Sequence, residues 1–547
     1  MVPFGKRYMR LLAVTAVIST IIICVTINQT CSSTDRVQSL QISTNELFRP
    51  SDTETENMGI LESEMFIEEL MTDEPTYDVL RLPSGTHSRL HLDRRAVTLG
   101  EVFRIRIHLY DHYNQPLYRG GDLLAVLMDN TTFGATSVGR VIDHRNGSYT
   151  AMLRAMWRGT ATISVTVLCA REAISTTMRI TNLYTAAFRL YCVFEYDGSR
   201  TETLGYPSTD PFKGMDYCNM TIENYGLAWY CLEPDNRFLC SDWVKVKVAK
   251  RSELYSSKSD VDVFYKSAKT ERKIEDVKVI TVTGQYDALP NAKETCAKHD
   301  VISTWVKAVP EGFLFKGQWH SMSCISGIGD YSLNKCLSNR RLLLSGDSTL
   351  RQFYSILFKR LQMKSLTGNW TTEQWHRQSR SQRKDLNFRM IWTPHELPLY
   401  FNESSRATAR PVYVNVDEIP SGSNDFVIIH LYAHFTNHQP FVYRESIRRT
   451  ASAVKRLLQR SPKVIVGIKG THYYTFHDIL AGGWSDIYDN IIREEFRDVS
   501  SRVIYINAWD VVLASKTRGL HPVSWVAEAT LDSFLDNACV QTMSSSS

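Results

Sequence analysis

The chain has 547 residues, enough for two to four domains, and its 43% apolar and 22% charged residues are ordinary for a globular protein. Its formal net charge is only +5, and it has no block of Lys and Arg interleaved with stacking aromatics. A nucleic-acid partner is therefore not expected.

The first thirty residues have the pattern of a segment that enters the secretory pathway. Lys6, Arg7 and Arg10 precede an uncharged run over 11–27. This run is long enough for a short spanning helix, while Cys24-Val25-Thr26 is acceptable as a cleavage site. Residues 1–31 are thus interpreted either as a type II membrane anchor, with the bulk of the chain in the lumen, or as a cleaved signal peptide.

Eleven cysteines agree with a lumenal or secreted location. Without a tight CxxC pair, disulfides are favoured over zinc, and no metal site is expected. The ten cysteines outside the apolar run permit five bridges of unknown connectivity. Cys31 is a candidate for a bridge between two chains. Five glycosylation sequons support the same compartment, at Asn130, Asn146, Asn219, Asn369 and Asn402.

The next segments are predicted from composition and apolar periodicity. Residues 32–85 are acidic and poor in aromatics, which is typical of a flexible stem. Residues 86–190 alternate apolar and polar side chains, as in Phe103, Ile105 and Ile107, and predict an immunoglobulin-like β-sandwich. Residues 191–335 are a cysteine-rich module and linker, in which structural disulfides and core aromatics are favoured over a metal or redox site.

Residues 336–540 alternate buried strands with amphipathic helices, which predicts a parallel sheet covered by helices on both faces. Strands are expected near 342–345, 426–431, 463–468 and 503–506. Helices are expected near 349–361, 445–459 and 487–496, with one more at the end. Residues 541–547 are assigned to a disordered tail.

The first of these strands ends in Gly346-Asp347-Ser348, directly before a predicted helix. This arrangement places the Ser348 hydroxyl at the carboxyl edge of the sheet, where a nucleophile and oxyanion-stabilising N–H groups can lie together. His521, after the last strand, reaches the same edge and is the candidate base. An ordinary loop histidine is the alternative.

The segment Gly346–Gln352 resembles the signature of the neurexophilin and PC-esterase domain family, NXPE. Further ordered matches are Leu457–Pro462, Ala508–Asp510 and Leu520–Pro522, followed by a last helix that ends at Cys539. The resemblance implies an SGNH/GDSL-like esterase domain behind a neurexophilin-like sandwich. It also implies carbohydrate O-acyl ester chemistry, since polysaccharide O-acetyltransferases belong to the wider group.

The resemblance implies roles for individual residues. Ser348 would be the nucleophile and His521 the base, and Arg351 lies one helical turn beyond the serine. Gly346, Asp347, Arg351 and His434 are candidates for the oxyanion site or pocket, although a buried structural histidine is the alternative for His434. The third catalytic member is uncertain, with Asp510 nearest in sequence and a capping role as its alternative.

Three positions depart from the family pattern. Arg518 stands where related enzymes have the aspartate of Asp-x-x-His, Tyr432 where a glycine is usual, and Asn507 where an aspartate is expected. Two functions are therefore weighed. One is a glycan O-acetyltransferase or esterase without a cofactor other than an acyl donor, such as an acetyl ester or acetyl-CoA. The other is a weakly active or inactive glycoprotein that binds an extracellular protein.

Overall fold

The computed structural model of the protein describes residues 64, 66–72, 78–184, 189–248, 267–268, 270–289, 296, 300–306, 310–324, 330–368, 377–396, 403–405, 410–475, 483 and 485–544. Within these ranges the strands are β1 (Arg89–Leu92), β2 (Ala96–Thr98), β3 (Val102–His108), β4 (Leu123–Asn130), β5 (Ala135–Asp143), β6 (Ser148–Arg154), β7 (Gly159–Cys169), β8 (Leu190–Tyr196), β9 (Ser199–Tyr206), β10 (Tyr217–Asn219), β11 (Tyr230–Leu232), β12 (Trp243–Val248), β13 (Arg272–Lys273), β14 (Lys278–Thr283), β15 (Gly312–Phe315), β16 (Gln318–Ser321), β17 (Arg341–Gly346), β18 (Lys364–Ser365), β19 (Ser379–Arg383), β20 (Phe388–Thr393), β21 (Glu403–Ser405), β22 (Phe426–His430), β23 (Ile465–Lys469) and β24 (Val503–Ile506).

Besides a helical segment over 66–72, the α-helices of the described ranges include α1 (Arg171–Tyr184), α2 (Asp330–Leu337), α3 (Ser348–Arg360), α4 (Val412–Asp417), α5 (Pro440–Arg460), α6 (Ser485–Glu495), α7 (Trp509–Ala514) and α8 (Ser524–Ser544). None of the helices in the described part of the chain is both long and apolar enough to cross a membrane. The apolar run over 11–27 lies outside the described residues.

The first sheet has eleven strands in the order β1-β3-β6-β5-β4-β7-β14-β2, with β13 beside β7 and the β15–β16 hairpin beside β5. β5 pairs with β4 through its first half and with β6 through its second half, so one strand joins two groups of strands. Alternate side chains of both groups, such as Ile105 and Val165, are fully buried in a shared core. The predicted all-β region thus forms a sheet with an apolar core.

The first sheet differs from the predicted domain limits in two ways. Its strands β13 to β16 come from residues 272–321, which lie beyond the expected boundary at residue 190. Residues 171–184, expected to be part of the β region, form helix α1. Residues 66–72 of the expected flexible stem are also helical, and Leu70 is completely buried.

The second sheet is small, antiparallel and stapled by disulfides. Its order is β10-β11-β9-β8-β12-β21. Cys192 bonds to Cys231 and Cys218 to Cys240, around a stacked pair of indole rings from Trp229 and Trp243. Strand β21 joins its edge from the C-terminal part of the chain. Structural disulfides and core aromatics therefore account for this module, as the sequence predicted.

The third sheet carries the Gly-Asp-Ser segment. Its order is β18-β19-β20-β17-β22-β23-β24, and the five strands from β20 to β24 along this path run parallel. Leu342 and Leu344 pack with α3 and α8 on one face, whereas Val427 and Ile429 pack with α5 and α6 on the other. The prediction of a mixed α/β chain with a parallel sheet in its C-terminal part is confirmed.

Two further disulfides belong to the C-terminal half: Cys296–Cys324 and Cys336–Cys539. Four bridges are therefore present among the described residues, where the sequence permitted five. Cys169 is a buried thiol at the end of β7, and Cys31 lies outside the described residues. Helix α8 continues to Ser544, so residues 541–544 are helical and do not form the predicted tail.

Candidate active site

The candidate nucleophile lies where β17 turns into α3. Asp347 caps the helix, since its carboxylate accepts a hydrogen bond from the Thr349 N–H at 2.8 Å, and Ser348 is the first helical residue. Glycine is required at position 346 because an added Cβ would lie 2.1 Å from the main-chain oxygen of His430 on β22. β17 and β22 therefore approach each other closely at Gly346. Ser348 follows two residues later, at the carboxyl edge of the sheet.

Ser348 and His521 meet although 173 residues separate them in sequence. The Ser348 Oγ lies 2.6 Å from His521 Nε2. For the hydroxyl to donate to Nε2, the imidazole must carry its proton on Nδ1. Burial lowers the pKa of His521, and although Asp347 opposes this, Arg351 and Lys469 lower it further. The ring is therefore neutral at pH 7 and suited to accept a proton.

The loop that carries His521 is held from two sides. Gln352, one turn along α3 from the serine, donates its amide Nε2–H to Pro522 O at 2.8 Å. On the other side, the His472 Nε2 lies 3.0 Å from Leu520 O, so its N–H donates to that carbonyl. The main chain on both sides of the candidate base is therefore fixed by side chains of neighbouring elements.

Asp347 connects the start of α3 to the loop that follows β22. Its carboxylate accepts hydrogen bonds from the N–H and hydroxyl of Thr349, both at 2.8 Å, and from the Ala433 N–H at 3.3 Å. Only 1% of Asp347 is exposed. The same carboxylate thus orders two chain segments that border the serine.

Lys469, at the end of β23, supplies positive charge to this buried site. Its Nζ lies 3.2 Å from Thr349 Oγ1 and 3.0 Å from His430 Nε2. Burial lowers the pKa of Lys469 to about 8, against the opposing effect of Asp347, so the ammonium group remains protonated at pH 7. Two parallel strands, β22 and β23, and the start of α3 therefore contribute to one buried polar cluster: Asp347, Thr349, His430 and Lys469.

The protonation states in this cluster follow from the same contacts. His430 Nδ1 lies 2.9 Å from Lys469 O and must donate to it, which leaves Nε2 to accept from the Lys469 ammonium. Burial and Lys469 lower the pKa of His430 to about 4, so the ring is neutral. Burial alone would raise the pKa of Asp347, but His430, which is protonated at the low pH where Asp347 titrates, brings it below its ordinary value together with Lys469 and the Thr349 hydrogen bond.

The other two pocket candidates lie near this edge of the sheet. Arg351 is half-buried, with its guanidinium carbon 5.8 Å from the centroid of the Trp392 ring, and burial lowers its pKa. His434 is also half-buried, and its Nδ1 lies 2.6 Å from Nε2 of the buried His395. His434 therefore belongs to a histidine pair that the sequence did not indicate.

The structure does not bring Asp510 to His521. Asp510 Oδ2 accepts hydrogen bonds from the Glu311 N–H at 2.8 Å and from Asn507 Nδ2 at 3.0 Å, beside the start of α7. Among the described residues, no carboxylate accepts a hydrogen bond from Nδ1 of His521. Asp510 thus has the local structural role that was its alternative, and Asn507 caps α7 by accepting from the Trp509 N–H.

Arg518 and Tyr432, the other two residues that depart from the family pattern, each have contacts of their own in the structure. Arg518 pairs with Glu271 through a 2.8 Å contact, and its carbonyl accepts from the Thr475 N–H. Tyr432 is completely buried and packs edge-on against Tyr474. Its φ of −160° lies outside the left-handed region that favours glycine, although its ψ of −72° is not that of an extended strand.

Three of the sequons fall within the described residues. Asn146 and Asn219 are exposed, whereas Asn130 is half-buried and donates its Nδ2–H to Thr160 O. Asn369 and Asn402 lie outside the described residues. No group of three or more His, Cys, Asp or Glu side chains in the described part of the chain could hold a metal ion.

Residues 319–539 match the family model of the NXPE family member 4-like C-terminal domain. A solved carbohydrate esterase family 2 enzyme with a carbohydrate-binding domain, from Corynascus thermopiles (Myceliophthora fergusii), is 8% identical, with coverage of 77% of this chain and 100% of its own, at a TM-score of 0.26. Invasin, a bacterial integrin-binding protein, is 11% identical, with coverage of 57% and 60%, at a TM-score of 0.12. At these TM-scores neither similarity carries an argument about this chain.

Proposed function

Because the chain belongs to the NXPE family through its C-terminal domain, we propose that it is a secretory-pathway enzyme of glycan O-acyl ester chemistry. The observation that carries the proposal is the 2.6 Å contact between Ser348 Oγ and a neutral His521 Nε2. A hydroxyl needs such a base before it can attack an ester carbonyl. The proposed fold is an SGNH-like esterase domain beside an immunoglobulin-like, neurexophilin-type sandwich.

The proposed reaction has two steps. Ser348 Oγ forms a bond to the acyl carbon of the donor while His521 Nε2 takes the hydroxyl proton, and N–H groups at the start of α3 stabilise the negative charge on the carbonyl oxygen. The donor's C–O or C–S bond then breaks, and His521 returns the proton to the leaving group. A second hydroxyl, activated by His521, attacks the acyl-serine and regenerates both residues.

The identity of that second hydroxyl separates two activities. Water gives an esterase, and a sugar hydroxyl gives an O-acetyltransferase. We favour acetyl transfer because of the relatives that the NXPE resemblance implies. An acetyl ester or acetyl-CoA would be the donor, and no further cofactor is required.

The four disulfides are those of a protein that folds in the secretory pathway or is exported from the cell. Glycans and their acyl esters are available there as substrates. The N-terminal segment over 1–31 would either anchor the protein facing the Golgi or ER lumen, or be removed before secretion.

A fluorophosphonate probe tests the nucleophile directly, with Ser452→Ala as the matched control because Ser452 is exposed on α5. Purified lumenal protein should be labelled, and labelling should disappear in Ser348→Ala but not in Ser452→Ala. An acetyl donor and a glycan panel then separate free acetate from acetylated glycan. If labelling and Ser348-dependent acetyl chemistry are both absent, the enzymatic proposal is wrong.

The second candidate function is a weakly active or inactive glycoprotein that binds an extracellular protein. One observation favours it: among the described residues, His521 Nδ1 has no acidic partner, and Arg518 in the expected acid position is paired with Glu271 instead. An imidazole without a carboxylate partner at Nδ1 is a weaker base. The serine and the oxyanion donors nevertheless retain some catalysis without that acid. Binding that persists in Ser348→Ala would support this candidate.

A further inference from the structure

The outward side of β1 and β3 in the first sheet is almost entirely basic. Along β3, the apolar side chains enter the core and the intervening ones are exposed. Arg89 on β1 lies opposite His108 on β3, and His91 lies opposite Arg106. We call this set the cationic face, and it consists of Arg89, His91, Arg104, Arg106 and His108.

Nearby acids neutralise only part of this charge. Residues 85–108 contain five arginines but only Asp93 and Glu101 as acids, an excess of three positive charges. Arg106 bonds to Asp93 at 2.8 Å, and Arg94 pairs with Glu101. Among the described residues, neither Arg104 nor Arg89 forms a close ion pair: Arg104 interacts with Asp93 and Arg89 with Asp276 only at longer range, and the Arg89 guanidinium donates to main-chain carbonyls. The local excess is large beside a net charge of +5 for the whole chain.

The cationic face also has a shape that can receive an extended ligand. A shallow groove of about 500 Å³ is lined by Arg89, His91, Arg106 and His108 of this face together with Lys278 and Asp276, and the Asp276 carboxylate accepts a hydrogen bond from the Leu90 N–H at 2.7 Å. Lys278 pairs with Asp276 at 2.6 Å, so these two residues add no net charge. Arg104 lies outside this groove, two residues from Arg106 on the same side of β3 and so about 7 Å away, and it extends the positive charge beyond the groove.

The chemistry of the face argues against a folded protein as the occupant. Protein interfaces have an apolar core, often with aromatic anchors. On β1 and β3 the one exposed large apolar side chain is Val102, at the beginning of β3. Exposed guanidinium groups instead fit the oxyanions of a polyanion, because arginine can donate two parallel hydrogen bonds to two oxygens of one such group.

We propose that the cationic face binds a sulfated polysaccharide. The disulfides place the protein in a compartment where the partner would be a glycan rather than a nucleic acid. This binding involves the first sheet and does not depend on Ser348 or on any ester chemistry. It would hold the protein on an extracellular or lumenal polysaccharide whichever activity the C-terminal domain has.

The test is the affinity of the full lumenal chain for a heparin oligosaccharide, measured at several salt concentrations. The variant Arg89→Ser/Arg104→Ser/Arg106→Ser should bind with a slope of log affinity against log salt reduced by about 3, since each lost ionic contact removes about one unit. The control Arg448→Ser/Arg456→Ser/Arg502→Ser removes the same charge from exposed residues elsewhere and should leave the slope unchanged.

Two results would overturn the proposal. Equal loss of affinity in both triple variants would mean that only the total charge matters. Binding of unsulfated hyaluronan or of polyglutamate as tightly as heparin would mean that the face does not select sulfate. Ser348→Ala should bind heparin as the unmodified protein does, so this test and the probe-labelling test fail independently.

Discussion

His430 and Lys469 are joined twice: the Lys469 ammonium lies 3.0 Å from His430 Nε2, and His430 Nδ1 lies 2.9 Å from the Lys469 carbonyl. The pair spans adjacent parallel strands at the point where both end. These two contacts thus continue the hydrogen bonding between β22 and β23 beyond the last main-chain bonds of the two strands. Directly beside it lies the carboxylate that caps the helix of the candidate nucleophile.

Removal of the buried cation should destabilise the protein strongly. Lys469→Met would leave Asp347 charged in a buried site, which costs about 3–5 kcal/mol in comparable cases. Urea unfolding measures this loss. Lys455→Met is the matched control, because Lys455 and Asp498 form an exposed pair at 3.0 Å, and such pairs contribute about 1 kcal/mol or less.

A double variant separates lost charge pairing from lost packing. If Lys469 acts mainly as the counter-ion of Asp347, then Asp347→Asn combined with Lys469→Met should cost less than the sum of the two single changes. If the loss of unfolding free energy in the double variant equals the sum of the two single losses, the two side chains are energetically independent.

The pH dependence of probe labelling should follow the protonation of His521. Only the neutral ring can accept the Ser348 proton, so labelling is lost as pH falls through the pKa of His521 in the folded protein. Because burial lowers that pKa, half of the maximal labelling rate should be reached below pH 6.5. Arg351→Gln should move the midpoint upward, since Arg351 contributes to the lowering. A midpoint above 6.5 in the unmodified protein would contradict the assignment.

Gln352 should affect reactivity more than stability. Gln352→Ala removes the hydrogen bond to Pro522 O, so the His521 loop loses one of its two side-chain supports. We expect labelling to slow by about tenfold while the free energy of unfolding changes by about 1 kcal/mol. Ser355→Ala is the control, as Ser355 lies on the same helix and its hydroxyl donates to Arg351 O within that helix. Equal slowing in both variants would point to a general effect on α3.

Gly346→Ala should be far more damaging than alanine at a glycine in open space. The added Cβ would meet the main-chain oxygen of His430, which no rotamer change can relieve, and a cost of roughly 3 kcal/mol is expected. At Gly368 nothing lies within 4 Å, but φ is +88°, so Gly368→Ala should cost about 1 kcal/mol. Thermal unfolding of the two variants measures the difference, and similar melting temperatures would disprove the close approach.

The elements of the C-terminal domain were predictable because each carries its own signal. The run Phe426–Leu431 has no charge, and the apolar face of 445–459 repeats at helical spacing, which gave β22 and most of α5. Strand β21 was missed because it is three residues long and pairs with β12, more than 150 residues away. Such pairing leaves no local pattern.

Within the site, the residues found from sequence are those with a recognisable motif. Ser348 and His521 follow the strand ends as expected, whereas His430, Lys469 and His472 were missed. A lysine directly after four residues of a buried strand, Ile465–Ile468, was the available signal for Lys469, since an isolated charge at that position needs a partner. Its partners lie on β22 and in the first turn of α3, and only the folded domain brings them together.

The Cys336–Cys539 disulfide sets the order in which this domain can be completed. It joins α2, which precedes the first parallel strand, to α8, which packs on the same face of the sheet after the last one, across 203 residues. During synthesis, Cys336 must therefore remain available while every strand of the sheet is made. The bridge therefore forms only if Cys336 stays reduced until then or if an earlier bond to another cysteine is exchanged.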